Sequence, residues 1–225
     1  MTDSQIRVQL QDHMGSDRSI AEAAWTSSTT LVGKAKRTDE DVERLVRRLA
    51  DDRHSTPFES VVLRFWIKMP ITSDRQHVTH RIASHNGMSG RYRTMPREWL
   101  AVPDDIKAMG FENISSQYDE LCKAANDFYE GTLQILKTAE GLGNLTNDQF
   151  KRMREFYRGV LPQNNMTERV TVINLRSWAN FQKQRNSPKA QDEIRLVARL
   201  MYEEVVKANV CPVALESLEK NGWNI

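Results

Sequence analysis

Cysteine is scarce: the 225-residue chain has two, Cys122 and Cys211, too few for a disulfide framework. A reducing cytoplasm is the expectation, and Cys122, set in an amphipathic pattern, reads as a buried free thiol. An excess of one charge is lacking too. Lys plus Arg total 32 against 30 Asp plus Glu, a formal net of +2, which argues against a nucleic-acid surface. Any anion site must therefore be local. No apolar run approaches a membrane span, and the first twenty residues have no continuous apolar core of the secretory kind. Repeats, low-complexity tracts and Pro/Gly/Ser linkers are missing as well. Residues 1–225 are accordingly expected to form a single domain around one core.

What is there concentrates between Arg75 and Arg93, RQHVTHRIASHNGMSGRYR. Ser73 and Gln76 stand at capping-box spacing, which predicts a helix from Asp74. Asn86-Gly87, tolerant of positive φ, predicts its stop. On such a helix Gln76 and His80 share one side, as do His77 and Arg81. Ser89, Gly90 and Arg91 then offer a hydroxyl, an unshielded amide and a guanidinium fork, the donors that a phosphate takes. A solvated basic helix and turn is the plainer alternative. His77 and His80 lie three apart with no third ligand at a recognised metal spacing, so no metal is expected.

Around this stretch the pattern predicts alternating strands and amphipathic helices. Ile6, Val8 and Leu10 alternate as an opening strand. Thr38 caps a helix with acidic residues in its first turn and Val42, Leu45, Val46 and Leu49 on one face. His54 to Glu59 is a proline-restricted turn, and Glu59 to Met69 alternates strictly as a strand that Pro70 ends. Residues 93–114 read as a loop. A long helix is expected from about Ser115 to Glu140, with Tyr118, Leu121, Ala125, Phe128, Leu133 and Leu136 on its apolar face. Thr146 caps a second helix running to about Leu161, ended by Pro162. A short strand around Val170 and Val172 precedes Asn174, and a closing helix runs from Pro188 to about Asn209. On the helix after Asn174, Arg176 and Asn180 face the same way, and Arg185 follows further along. Such polar groups are costly to bury without partners, and a polar ligand would satisfy them.

The central stretch resembles the signature of the flavin-dependent thymidylate synthases, the ThyX family: Arg-His-Arg, seven residues, Ser, then Arg-Tyr. The corresponding residues are Thr79, His80, Arg81, Ser89, Arg91 and Tyr92. Thr79 replaces an Arg, and Gly87 a Glu. His54-Ser55-Thr56-Pro57-Phe58-Glu59 resembles a second family segment, Arg158 to Pro162 a third, and Asn174 to Arg185 a fourth. Together they span roughly His54 to Gln191.

The resemblance implies an α+β fold, a mixed sheet with long flanking helices, in a homotetramer whose sites form where subunits meet. It implies FAD as cofactor, dUMP as substrate, and methylenetetrahydrofolate and NADPH as co-substrates, a one-carbon unit passing to carbon 5 of the uracil without a covalent protein nucleophile. Thr56, Thr79, His80, Arg81, Asn174, Arg176 and Asn180 would lie on the flavin side. Gln76, Gly87, Ser89, Gly90, Arg91, Arg158 and Arg185 would lie on the nucleotide side, with Arg185 as the catalytic cation. Thr79 implies weaker flavin retention, and Gly87 an altered pyrimidine or final step. Two alternatives accompany this reading: a related enzyme that leaves a hydroxymethyl group on a deoxypyrimidine nucleotide, and a non-catalytic nucleotide or nucleic-acid binder.

Overall fold

The computed structural model describes residues 5–223 and has an α+β fold. The opening alternation becomes β1 (Arg7–Met14), with a register shift between Leu10 and Asp12 where it pairs antiparallel with a later strand. Helix α1 (Asp17–Trp25) starts at a Ser16/Ser19 capping box, and α2 (Leu31–Ala35) is a single capped turn. In α3 (Asp39–Asp51) Thr38 accepts from the Asp41 amide while the Asp41 carboxylate accepts from the Thr38 amide. This reciprocal bonding satisfies two of the donors that a helix start leaves free. Thr56–Ser60 forms a 3-10 turn and leads into β2 (Val62–Pro70). The alternation there is complete: Val61, Leu63, Phe65, Ile67 and Met69 are fully buried.

The expected helix from Asp74 to Asn86 is not what forms. Helix α4 spans Ile71–His77, and the chain turns back as a strand, β3 (Ala83–Gly87). Backbone carbonyls, not a capping box, start α4: the Ile71 amide donates to Asn165 O at 3.0 Å and the Thr72 amide to Gln163 O at 2.9 Å. Ser73 therefore lies inside the helix, buried. The Thr79 hydroxyl donates to the Gln76 carbonyl at 2.7 Å, which closes the helix long before Asn86.

Next come α5 (Asp104–Lys107), within the expected loop, then α6 (Glu112–Gly141) and α7 (Asn147–Tyr157), the last capped by Thr146 and followed by a 3-10 turn over Arg158–Val160. The apolar face expected for α6 is really two faces. Cys122, Tyr129, Leu133 and Leu136 are buried, whereas Leu121 and Phe128 point outward. The period alone could not separate two stripes on one helix. Strand β4 (Met166–Asn174) precedes α8 (Leu175–Arg185), α9 (Asp192–Lys207) and α10 (Pro212–Lys220). Sequence reading missed α10. Its start borrows a distant carboxylate: Asp17 accepts from the Val213 and Ala214 amides at 3.2 and 2.9 Å.

The four strands form one sheet in the order β1-β2-β4-β3. The chain makes two compact units. One comprises the residues up to Met69, Ser73–Asn86 and those from Glu168 onward; the other comprises Pro70–Thr72 and Gly87–Thr167. The first holds the sheet core, with Trp178, Phe58, Phe65 and Phe181 among its largest fully buried side chains. The second is built on α6 and α7, with Asn126 and Asn165 exchanging two side-chain hydrogen bonds in its interior. No helix among the described residues is long and apolar enough to cross a membrane.

Candidate functional site

In the first unit a single hydroxyl organises the residues between α4 and β3. Thr171 Oγ1 lies 3.0 Å from His77 Nε2 and 3.1 Å from His85 Nδ1. His85 Nε2 reaches the His80 carbonyl at 3.3 Å, and a carbonyl can only accept, so that nitrogen carries the proton. His85 Nδ1 is then the acceptor for the Thr171 hydroxyl, which in turn accepts from His77 Nε2–H. The bonds run in one direction and leave His77 Nδ1 bare, in agreement with its burial without a partner. All three histidines are held neutral. Burial, then repulsion from the Arg169 guanidinium and from any proton added to His85, pushes His77 down to about 3. Burial and the Arg185 guanidinium push His80 down to about 4. Burial also lowers His85. Beneath them Asp74 and Arg169 form a bidentate ion pair, one arm at 2.7 Å, with both side chains largely buried.

Arg185, at the end of α8, is held at three points. Its Nε donates to His80 Nε2 at 3.0 Å, its Nη1 to Gln76 Oε1 at 3.3 Å, and its Nη2 to Thr79 Oγ1 at 3.4 Å. His80 must therefore be the Nδ1–H tautomer. Phe181, one turn earlier on α8, meets the rings of His77 and His80 edge-on at 5.2 and 4.9 Å. Gln76 is itself anchored, its amide donating to Gln191 Oε1 at 2.8 Å.

Beside this lies a cavity of about 590 Å³ whose walls include Thr79, His80, Arg81, Arg176, Asn180 and Trp223. Arg53 and Lys183 join them, which makes four cations with Arg81 and Arg176. Glu59, paired with Arg176, is the carboxylate among the lining residues. The balance favours an anionic ligand. Ile82, Ile173 and Ala179 add apolar wall, and the Trp223 indole N–H is buried without an acceptor. Asn174 spends its side-chain oxygen on the Ser177 amide at 2.8 Å, as the N-cap of α8. Thr56 lines a separate cavity of about 360 Å³ with His54, Ser27 and Thr26.

Gly87, Ser89, Gly90, Arg91 and Arg158 belong to the second unit. There the Ser89 hydroxyl accepts from the Arg91 amide at 3.3 Å, and Arg91 Nε donates to Glu155 at 2.6 Å. Arg154 donates to the Arg91 carbonyl. A Cβ on buried Gly90 would stand 3.1 Å from both Arg158 Cδ and Met95 Sδ, so a larger residue there would have to push those two side chains aside by a few tenths of an ångström. Gly87 is exposed.

Sequence reading thus singled out six of the residues now gathered at the cavity or around Arg185. It passed over Arg53, Lys183 and Trp223. Lys183 had a signal, since Arg176, Asn180 and Lys183 follow at four and three residues on one helical face. Arg53 had none, being held toward the cavity by a left-handed backbone (φ 53°) that no pattern announces.

An α+β protein with a cation-lined cavity beside a fixed guanidinium is equipped to hold an anionic ligand. A family model described as "Thymidylate synthase complementing protein" matches residues 9–213. The flavin-dependent thymidylate synthase of Kosmotoga olearia is 34% identical over 217 residues, covering 93% of this chain and 88% of that protein. The Thermus thermophilus enzyme of the same name is 35% identical over 217 residues, covering 95% and 76%. Among solved structures, the UMP/dUMP methylase PolB from Streptomyces cacaoi, bound with 5-Br dUMP, aligns with a TM-score of 0.75 and 25% identity over 98% of this chain and 97% of its own. The chain belongs to the thymidylate synthase complementing protein family and is an enzyme of the flavin-dependent thymidylate synthase group.

Proposed function

We propose that this enzyme moves a one-carbon unit from methylenetetrahydrofolate to carbon 5 of dUMP, using bound FAD and NADPH. The observation that carries the reading is the cavity with its four cations, adjoining an Arg185 fixed by His80, Gln76 and Thr79. Its donor set suits a flavin dinucleotide: guanidinium and ammonium groups for the diphosphate, apolar wall and an unspent indole N–H for the rest. Arg53, Arg81, Arg176, Asn180 and Lys183 would hold that cofactor, with Thr79 and His80 at its edge. Asn174 would act by setting the start of α8, and Thr56 from its own cavity. When bound, a flavin supplies the electron transfer, for which the chain has no group of its own.

Arg185 stabilises negative charge developing on the pyrimidine ring, an electrostatic role without proton transfer. Neutral His80 fixes the plane of that guanidinium. Ser89, the Gly90 amide, Arg91 and Arg158 would take the nucleotide phosphate, with Glu155 holding Arg91 in place. A cysteine nucleophile is not part of the scheme. Both thiols are buried, and burial pushes Cys211 up to about 12. We place the working enzyme in the cytoplasm, as a homotetramer with 1–225 acting as one catalytic domain.

The test is a visible spectrum of the purified protein with FAD, followed by incubation with dUMP, or UMP in parallel, plus methylenetetrahydrofolate and NADPH. The nucleotide is then weighed by mass spectrometry. A methylated product is expected. A hydroxymethylated one would shift the reading to the rival that the Gly87 departure raises, and an unmodified nucleotide would refute both.

A further inference from the structure

Thr171, fully buried on β4, ties together two histidines from different elements. Its hydroxyl accepts from His77 of α4 at 3.0 Å and donates to His85 Nδ1, on the neighbouring strand β3, at 3.1 Å. With Nδ1 occupied, the His85 ring aims Nε2–H at the His80 carbonyl, 3.3 Å away. His80 lies outside both α4 and β3, so neither helix nor strand pairing fixes its carbonyl. Its amide donates to the His77 carbonyl at 3.2 Å, and its ring accepts from Arg185 Nε at 3.0 Å. A shift of the His80 main chain therefore moves the ring, and with it one of the three points that hold the guanidinium.

Packing alone does not ask for this arrangement. Apolar residues at positions 85 and 171 would fill the space without drawing a hydroxyl and an imidazole out of water. A chain of hydrogen bonds in which each group orients the next selects one conformation where apolar packing tolerates several. Here the selected conformation is that of the peptide carrying His80.

We propose that Thr171 and His85 are positioning residues for Arg185: the hydroxyl sets the His85 ring, and the ring sets the His80 main chain. Neither is among the residues that line the cavity, so both act through His80. Their role takes Arg185 to be the catalytic cation of the reaction proposed above.

Asn and Gln at position 85 separate the two ring nitrogens. An Asn amide stands where Nδ1 stands and keeps the Thr171 bond but falls short of the His80 carbonyl; a Gln amide reaches the Nε2 position and keeps the His80 bond. With dUMP, methylenetetrahydrofolate and NADPH, His85→Asn is expected to lower kcat/KM for the nucleotide about tenfold, the effect of one lost hydrogen bond, and His85→Gln to stay within about twofold of wild type. A residue that merely fills space would make the two variants alike. Equal values for both, at whatever level, would overturn the proposal.

NMR of the full chain supplies a readout without turnover. Wild-type His85 is expected in the Nε2–H form; Thr171→Val should mix its tautomers, and Thr171→Ser should restore the single form. The Arg185 Nε–H signal, assigned by its loss in Arg185→Lys, should exchange with water about tenfold faster in His85→Asn than in wild type or His85→Gln. A wild-type His85 in the Nδ1–H form, which needs no variant to detect, or an Arg185 Nε–H equally protected in all three proteins, would overturn the proposal. A wild type that gave the expected spectra but modified no nucleotide would refute the reaction and support the hold on Arg185.

Discussion

His77 offers a quantitative test of the buried histidine chain. It is 1% exposed, donates to Thr171, and lies edge-on to Phe181 and His85. Its folded value, lowered to about 3, stands well below the ordinary 6.5, so the folded state resists a proton that the unfolded state accepts. Stability from this group is complete above the unfolded value and is lost as pH falls from about 6.5 toward 3. At pH 5 the folded ring is still neutral, so the loss depends only on unfolded-state protonation, ~1.5 pH units at ~1.36 kcal/mol each, or about 2 kcal/mol. His80 and His85, lowered as well, add to the same trend. The perturbation is His77→Leu, which keeps an apolar body and cannot titrate. Urea unfolding at pH 7.5 and pH 5.0, at one protein concentration, gives the drop in stability for each protein. The wild-type drop should exceed the variant's by about 2 kcal/mol, a midpoint difference of about 0.7 M at an m of ~3 kcal/mol/M. The intrinsic cost of the substitution cancels in this comparison. Equal drops would show that His77 is not held neutral by the fold, and the directed chain through Thr171 would fall with it.

Asp74→Asn should cost about 3 kcal/mol by stranding the buried Arg169 charge, with Asp74→Leu/Arg169→Met recovering much of it in the same unfolding assay. Thr79→Val removes an acceptor from Arg185 and should raise the KM for the pyrimidine nucleotide about 3-fold or more, Thr79→Ser restoring it; an unaltered KM would show that the hydroxyl does not position Arg185. Thr79→Arg adds a cation to the cavity wall and should tighten FAD binding about 10-fold by fluorescence quenching, while crowding Arg185 and slowing turnover. Arg185→Lys should lower kcat by about 100-fold with the bound-flavin spectrum preserved, since an ammonium cannot reproduce a fork held at three points; near-normal kcat would remove Arg185 from the chemistry.

The parts legible in advance were those written in short-range chemistry. Thr38 and Thr146 cap helices as their side chains suggest, and the β2 alternation names its buried face residue by residue. Three of the failures have one origin, partners distant in the chain. Asn165 and Gln163 supply the acceptors that start α4 early, Thr171 draws His85 into a strand, and Asp17 caps α10. None of these leaves a local trace. At the site, the family resemblance marked Arg185, His80 and Arg176, but the three-point hold on Arg185 and the contributions of Arg53 and Lys183 depend on geometry.

The clamp of Asp17 on the amides of Val213 and Ala214 bears on the order of events during synthesis. The carboxylate leaves the ribosome 196 and 197 residues ahead of its two donors, so the first unit cannot close until those donors have emerged. The span from Gly87 to Thr167 has no such wait. It leaves the exit tunnel as one uninterrupted stretch of largely local helical contacts, the kind that form fast. A nascent chain stalled once Thr167 has cleared the exit tunnel should already protect α6 and α7 from protease while leaving β1 open to it.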